Sequence, residues 1–319
     1  IIFCGYVVSL NWGAWFDASS ILSQHWRWCF LLPATIAILG AAVVWAFVRD
    51  TPSSVGLPEL KTGKAEATLL CGGERPRPAF WRAATDNDRG CSFPQRASVW
   101  MGADVFVQRM GFTVQEKSAQ CVRVQYRFGV PGVPGAQVEM IYTVEAQGAL
   151  RLDAVYHGVA GAPELPCFGV KFETFGPVTR TVWTGLSGET YPDRYKGGVF
   201  GCHEETPHVE PHLVPQDCGM HMQTRQAMLE QRDACGHTTA ALTLQQVDAP
   251  FAFSALPNTA QEIEAAQHIT ELPATGRTSV MVLGAVRGVG GIDSWGTDVE
   301  EPYHVSGEED HSVSFRIVL

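Results

Sequence analysis

The sequence predicts a mainly β protein: a large antiparallel β-sandwich preceded by one or two hydrophobic helices. Three observations carry that expectation. From residue 120 onward, short segments alternate apolar and polar side chains, as at Val122, Val124, Tyr126 and Phe128, which is the period of a half-buried strand. Turn formers separate these segments, most plainly Pro131-Gly132 and Pro134-Gly135. Strands and helices do not alternate in βαβ fashion, which argues against a parallel nucleotide-binding sheet.

Taken in chain order, the first element is apolar. Residues 1–16 form one hydrophobic stretch, and residues 29–48, CFLLPATIAILGAAVVWAFV, form a second without a charge. The second has the length of about 20 residues that crosses a bilayer core. The segment 17–28 between them carries Trp26 and Trp28, side chains suited to a membrane interface. Arg49, Lys61 and Lys64 follow the second stretch, whereas the loop before it has Arg27. The positive-inside rule then places the C-terminal side in the cytoplasm. The chain opens on Ile1 with no charged leader, so this is not a signal peptide and reads as a segment cut from something longer. Two such helices cannot build a transport pathway, which needs a bundle around a central site.

Composition changes at 61–66, the expected boundary between a helical fragment at 1–60 and a globular domain at 67–319. Within that domain a short helix is expected at 95–103. Strands are expected at 105–114, 121–130, 137–144, 150–156, 169–175, 182–186, 220–229, 238–244, 251–256, 279–286 and 312–319, spaced as in a sandwich. A globular part of about 250 residues can bury a large core. The net charge of −10 and the lack of a basic stripe argue against nucleic acid. Nine cysteines without repeated CxxC spacing indicate neither a disulfide framework nor a zinc ribbon, and free thiols fit a reducing compartment.

Two sets of motifs resemble known families. WRW at 26–28, the apolar run and RDTPSSVGLPEL at 49–60 resemble the organophosphate:phosphate antiporters of the major facilitator superfamily. There the matching stretch closes the first six-helix half. The second set is longer. RPAFWRAATDNDRG at 77–90, GLSGETYPDR at 185–194, LVPQDCG at 213–219, FSALPNTAQEIEAAQH at 253–268 and GVGGIDSWGTDV at 288–299 occur in order. Together they resemble the C-terminal module of family 2 glycoside hydrolases of the β-galactosidase type, a supersandwich related to galactose mutarotases. Three positions depart from the family pattern: Ala84 stands for a usual Pro, Thr190 for a usual Asn and Ile292 for a usual Asp. The family module also begins with strands upstream of Phe80-Trp81-Arg82. Their replacement by apolar sequence would leave sheet edges exposed.

The resemblance implies a function and limits it. These enzymes hydrolyse terminal β-D-galactosides such as lactose with retention, which needs two carboxylates about 5–5.5 Å apart. In the family both lie on a (β/α)8 barrel ahead of this module, so no catalytic residue is expected here and the chain alone is expected to be inactive. Magnesium and sodium, where the family uses them, bind outside the module, so no cofactor is expected. The implied partners are a β-galactoside or galactose, the catalytic barrel, and further copies in a homo-oligomeric enzyme. The sandwich is expected in the cytoplasm, with inner-membrane attachment only through residues 29–48. A free sugar-binding module, membrane-tethered or not, and a mutarotase-like protein are the alternatives. A mutarotase needs a His and a carboxylate about the anomeric carbon, and no motif places them.

Candidate site residues follow from the same match. Trp295 corresponds to a Trp that packs beside the sugar, a flat apolar face suited to the C–H side of a pyranose. Gly288, Gly290 and Gly291 would let the backbone present it; the competing reading is a core Trp on a strand. Asp86, Asn87, Asp88 and Gly90 resemble the start of a mobile loop near the active site, against a purely structural turn. Tyr191, Asp193 and Arg194 read as a hydrogen-bonded corner. Glu204, Glu205 and Asp217 lie in turn-rich sequence and read as solvated surface. His203, His208, His212 and His221, with Cys202 and Cys218, lack the tight ligand pairs of a zinc site, and Pro207 and Pro211 forbid a helix there. No metal site is expected.

Overall fold

The computed structural model describes residues 76–118, 121–145 and 148–318. All of them belong to the unit Lys61–Leu319. The two hydrophobic segments, the fragment at 1–60 and the junction at 61–66 lie outside the described residues. Among the described residues no helix is long and apolar enough to cross a membrane.

Fourteen strands form two antiparallel sheets among the described residues. The smaller runs β1 (Arg77–Ala79), β6 (Cys167–Glu173), β13 (Ser279–Val286), β12 (Phe251–Leu256), β9 (His221–Thr224). The larger runs β2 (Gln108–Lys117), β3 (Cys121–Gly129), β4 (Gln137–Glu145), β5 (Leu150–His157), β14 (His311–Val318), β11 (Thr238–Gln246), β10 (Gln226–Arg232), β7 (Arg180–Leu186), β8 (Phe200–Glu205). In the middle of the larger sheet every second residue turns inward: Leu152, Ala154 and Tyr156 on β5, and Val313, Phe315 and Ile317 on β14. Register places Phe315 opposite Leu152, and Leu152 opposite Tyr142, so one apolar ladder crosses three strands. Between the sheets the rings of Phe80, Trp100, Tyr156 and Phe168 meet at centroid distances of 5.6–6.2 Å. Truncating one such ring costs about 3–5 kcal/mol.

β6 and β12 are buried along almost their whole length, as strands covered on both faces must be. Their inner faces join the main core through Phe168, Val170 and Phe253. The outer faces of β6, β12 and β13 carry a second cluster in which Cys167, Ala252, Met281 and Leu283 pack with Tyr191, Met220 and Val289. The loops that hold the candidate site therefore form a third layer on the back of the smaller sheet.

Four α-helices are described: α1 (Asp86–Gly90), α2 (Phe93–Arg96), α3 (Ser98–Phe106) and α4 (Ala260–Ala265). The single helix expected at 95–103 is two, broken at Ala97, and α3 runs on to Phe106 where a strand was expected to have begun. The strand expected at 220–229 is also two. Gln223 has φ of 56°, a left-handed conformation that a non-glycine residue adopts only under tertiary constraint. There the chain leaves the smaller sheet as β9 and enters the larger as β10. α4 was not expected, although Thr259 and Glu262 form a capping box at its start, a signal present in the sequence. β8 was missed because both of its faces are partly solvated, which weakens the apolar alternation.

Candidate functional site

The Gly-rich segment 287–299 follows β13 and lies against α1. Its base is an ionic hub. Arg287 is 0% exposed, with Nη1 donating to Asp88 Oδ1 at 3.2 Å, Nε to Glu164 Oε1 at 2.6 Å and Nη2 to Asp298. Its guanidinium plane lies 3.8 Å from the centroid of the Phe93 ring, a contact that adds cation–π attraction. Arg82, equally buried, donates to both oxygens of Asp88, at 2.7 and 3.3 Å, and to the Gly288 carbonyl at 3.1 Å. Burial alone would lower the Arg82 pKa, yet Asp88 and Asp217 raise it above its ordinary value. Burial alone would raise Asp88, yet Arg82 and the Thr85 donors hold it low. Asp298 is likewise held down at about 2, against burial, by Val299 N–H and Arg287.

Asp88 is therefore an internal residue. It is 1% exposed and also closes the capping box of α1, accepting from Thr85 N and Oγ1 at 2.9 and 2.8 Å. The expectation that it faces sugar is corrected on that ground: its oxygens hold two arginines and a helix cap. Asp86, Asn87 and Gly90, by contrast, are exposed. Asp86 accepts from Arg89 Nη1 at 3.3 Å, and its backbone N–H donates to Gln216 Oε1 at 2.6 Å.

The two candidate segments touch. Gly291 has φ of 78°, and a Cβ there would lie 2.6 Å from Asn87 Nδ2. Gly296 has φ of 82°, and a Cβ there would lie 2.6 Å from the Gly90 carbonyl. Both positions need glycine for conformation, and Gly296 needs it for space as well, since its neighbour is backbone. Between them Asp293 ties the tip. Its Oδ1 accepts from Trp295 N at 2.9 Å and Thr297 N at 3.2 Å, and its Oδ2 accepts from Thr297 Oγ1 at 2.5 Å. These donors, the Thr297 hydroxyl first, keep the Asp293 carboxyl below its ordinary range. On that tied tip Trp295 is 91% exposed, with Ile292 exposed beside it. The core-strand alternative for Trp295 is excluded by that exposure.

The corner at Tyr191–Arg194 braces the loop from the other side. Tyr191 and Arg194 exchange backbone hydrogen bonds. Asp193 accepts from Val289 N at 3.0 Å and Gly290 N at 2.8 Å, and Arg194 donates to the Gly290 carbonyl. Thr190, in place of the Asn usual in the resembled family, accepts from Met222 N at 2.9 Å through its hydroxyl. Tyr191 donates to Asp217 Oδ2 at 2.8 Å. Asp217 is 4% exposed, and burial pushes its carboxyl up to about 7, with Arg82 opposing. The expectation of a solvated Asp217 is thus overturned; tertiary packing buries a turn whose composition reads as surface. A cleft of about 430 Å³ opens at this corner, lined by Leu186, Tyr191, Pro192, Tyr195, Met222 and Gln223. None of the residues expected to face sugar lines it.

The histidines scatter. His203 is half-buried against Trp183 and His208 is exposed, their rings bonding to the Val199 and Thr206 carbonyls. His221 is buried against Trp183, rings 4.0 Å apart, with its nitrogens on Gly188 O and Glu205 Oε1 at 2.9 Å each. Neither nitrogen is left for a sugar. Glu204 pairs with Arg180 at the surface. Sequence reasoning missed Arg287, Asp298, Glu164 and Asp293. Arg287 could have been found, since an arginine ending an apolar strand needs an anion beside it.

The sequence pattern of the family described as "Beta galactosidase small chain" matches residues 53–318. The match starts ahead of the boundary expected at 61–66 and inside the run at 49–60. A "Beta-galactosidase small subunit" of Latilactobacillus sakei is 45% identical over 289 residues, covering 81% of this chain and 90% of that protein. A "Beta-galactosidase" of Streptococcus thermophilus is 33% identical over 245 residues, covering 76% of this chain. The chain spans 23% of the length of that relative. A putative aldose 1-epimerase of Escherichia coli K12 aligns over 65% of this chain and 67% of its own at 12% identity and a TM-score of 0.34.

Proposed function

Because this chain belongs to the β-galactosidase small chain family, we propose that it completes the sugar pocket of a β-galactosidase whose catalytic carboxylates lie on a partner chain. The observation that carries this reading is Trp295, 91% exposed on a loop tip that hydrogen bonds and a buried ionic hub hold in place. A large apolar ring kept in water on a tied loop gains most when another surface closes over it. Set beside a pyranose, the indole covers the C–H face and leaves its N–H for a hydroxyl. Asn87, Asp86 and Gly90 supply the polar rim next to it, and Asp88 acts from inside, through the arginines that fix the loop. Asp293, the carboxylate nearest the Trp in sequence, is occupied in tying the turn.

The division of labour follows from the chemistry. Retaining hydrolysis requires an acid/base and a nucleophile about 5–5.5 Å apart, and the partner with the (β/α)8 barrel supplies both. The small chain contributes shape and exclusion of water, which strengthen the partner's electrostatics in the closed site. The substrate is a terminal β-D-galactoside such as lactose, and no cofactor is assigned to this chain. Six free cysteines among the described residues suit work in the reducing cytoplasm.

Replacing Trp295 by Ala in the assembled enzyme tests this directly. Loss of one apolar wall is worth about 1–3 kcal/mol, so kcat/KM for a galactoside falls roughly 5- to 150-fold. Assembly, followed by size-exclusion chromatography, stays intact. An unchanged kcat/KM in the intact complex rejects the assignment.

A further inference from the structure

Away from the loop layer, at the tip of the hairpin joining β10 and β11, three ligand-type side chains converge. Asp233, Cys235 and His237 are all exposed, and one potential ligand atom of each lies within 4.8 Å of the other two. The turn fixes this arrangement. Asp233 N donates to His237 O at 3.0 Å, Gly236 N donates to Asp233 O at 2.9 Å, and Gly236 takes φ of 83°. Asp233 Oδ1 accepts from Cys235 N and His237 N at 2.9 Å each, leaving Oδ2 turned toward His237 Nδ1 at 3.3 Å.

We propose that Asp233, Cys235 and His237 form a binding site for one zinc-class divalent cation. The donor set decides the class. A thiolate, an imidazole and a carboxylate together suit zinc and its neighbours cobalt and nickel, whereas calcium and magnesium require several oxygens. In a tetrahedral zinc centre, donor atoms stand roughly 3.3–3.6 Å apart. The donors, already within 4.8 Å of one another, are little more than about 1 Å from that spacing. On binding, Cys235 gives its thiol proton to solvent and coordinates as thiolate, and the metal replaces the contact between Asp233 Oδ2 and His237 Nδ1. Three protein ligands leave the fourth position to water or to a group from outside the chain. The histidines weighed in the sequence, 203 to 221, play no part.

Titration of the full chain with cobalt(II) under reducing conditions, followed by the thiolate-to-cobalt charge-transfer band, tests the site, with zinc as competitor. The expected result is a band that saturates at one equivalent and is bleached by zinc. Cys235→Ser abolishes the band, His237→Ala weakens binding at least ten-fold, and Cys202→Ser, which changes another exposed thiol, leaves both unchanged. Circular dichroism confirms that each variant is folded. A missing band in the parent chain, or a band that survives Cys235→Ser, overturns the proposal.

Discussion

Asp217 sits beneath the Tyr191 corner with its carboxyl pushed from an ordinary 3.8 up to about 7 by burial. Between those values the folded chain holds a proton that the unfolded chain has released. Stability therefore falls as pH rises through that window, by at most about 1.36 kcal/mol per unit for one proton. Asp217→Asn keeps an acceptor for the Tyr191 hydroxyl and removes the titration. Urea unfolding from pH 5 to 7.5 is expected to show a steeper decline for the parent chain than for the variant, and equal slopes would refute the assignment. At Arg287 the prediction is larger. Arg287→Met removes a buried cation that Asp88, Asp298 and Glu164 share, leaving them Arg82, Arg96 and His304, at a cost of about 3 kcal/mol, the low end for breaking a buried pair, readable as a lowered urea midpoint. The sequence showed Trp295 and the glycines around it, because flat rings and flexible backbone carry their meaning locally. It hid the roles of Asp88 and Asp217, because burial of a carboxylate is decided by segments far away in the chain, such as the one bearing Arg287.

At the scale of elements, the loop and α1 act as one piece through the contact of Gly296 with Gly90. Gly296→Ala forces a Cβ to within 2.6 Å of the Gly90 carbonyl at a φ of 82°. This is expected to separate the two segments and cost about 1–3 kcal/mol of local strain. Hydrogen exchange at residues 288–299 should speed up while the sheet amides stay protected; unchanged loop protection contradicts the coupling. At the sheet edge, Met110, Phe112 and Val114 on β2 are exposed, an invitation to strand pairing. Phe112→Lys is expected to reduce concentration-dependent light scattering of the free chain, with a stability change within about 0.5 kcal/mol. Most strands of both sheets were legible from alternation and turn residues. The failures came where periodicity carries no information: a kink at Gln223 that moves the chain between sheets inside one apolar run, and an edge strand, β8, wet on both faces.

For the whole molecule, the sandwich supplies a rigid base, the loop layer lies on the back of its smaller sheet, and Trp295 faces outward from that layer. Such a molecule gains its function by meeting another. Five motifs in a fixed order made the family legible in the amino-acid sequence itself. That the catalytic carboxylates lie on a barrel outside this module is what the family resemblance implies; the chemistry adds that retaining hydrolysis needs such a pair. The apolar segments at 1–48 lie outside the described residues. The most direct test of the central claim is to titrate the full chain into the separately purified catalytic chain while following hydrolysis of a chromogenic β-galactoside. The expected result is no turnover by this chain alone, and activity that rises with added chain and then saturates. Turnover by this chain alone, abolished by changing one of its own carboxylates, would contradict the claim, as would a catalytic chain indifferent to its addition.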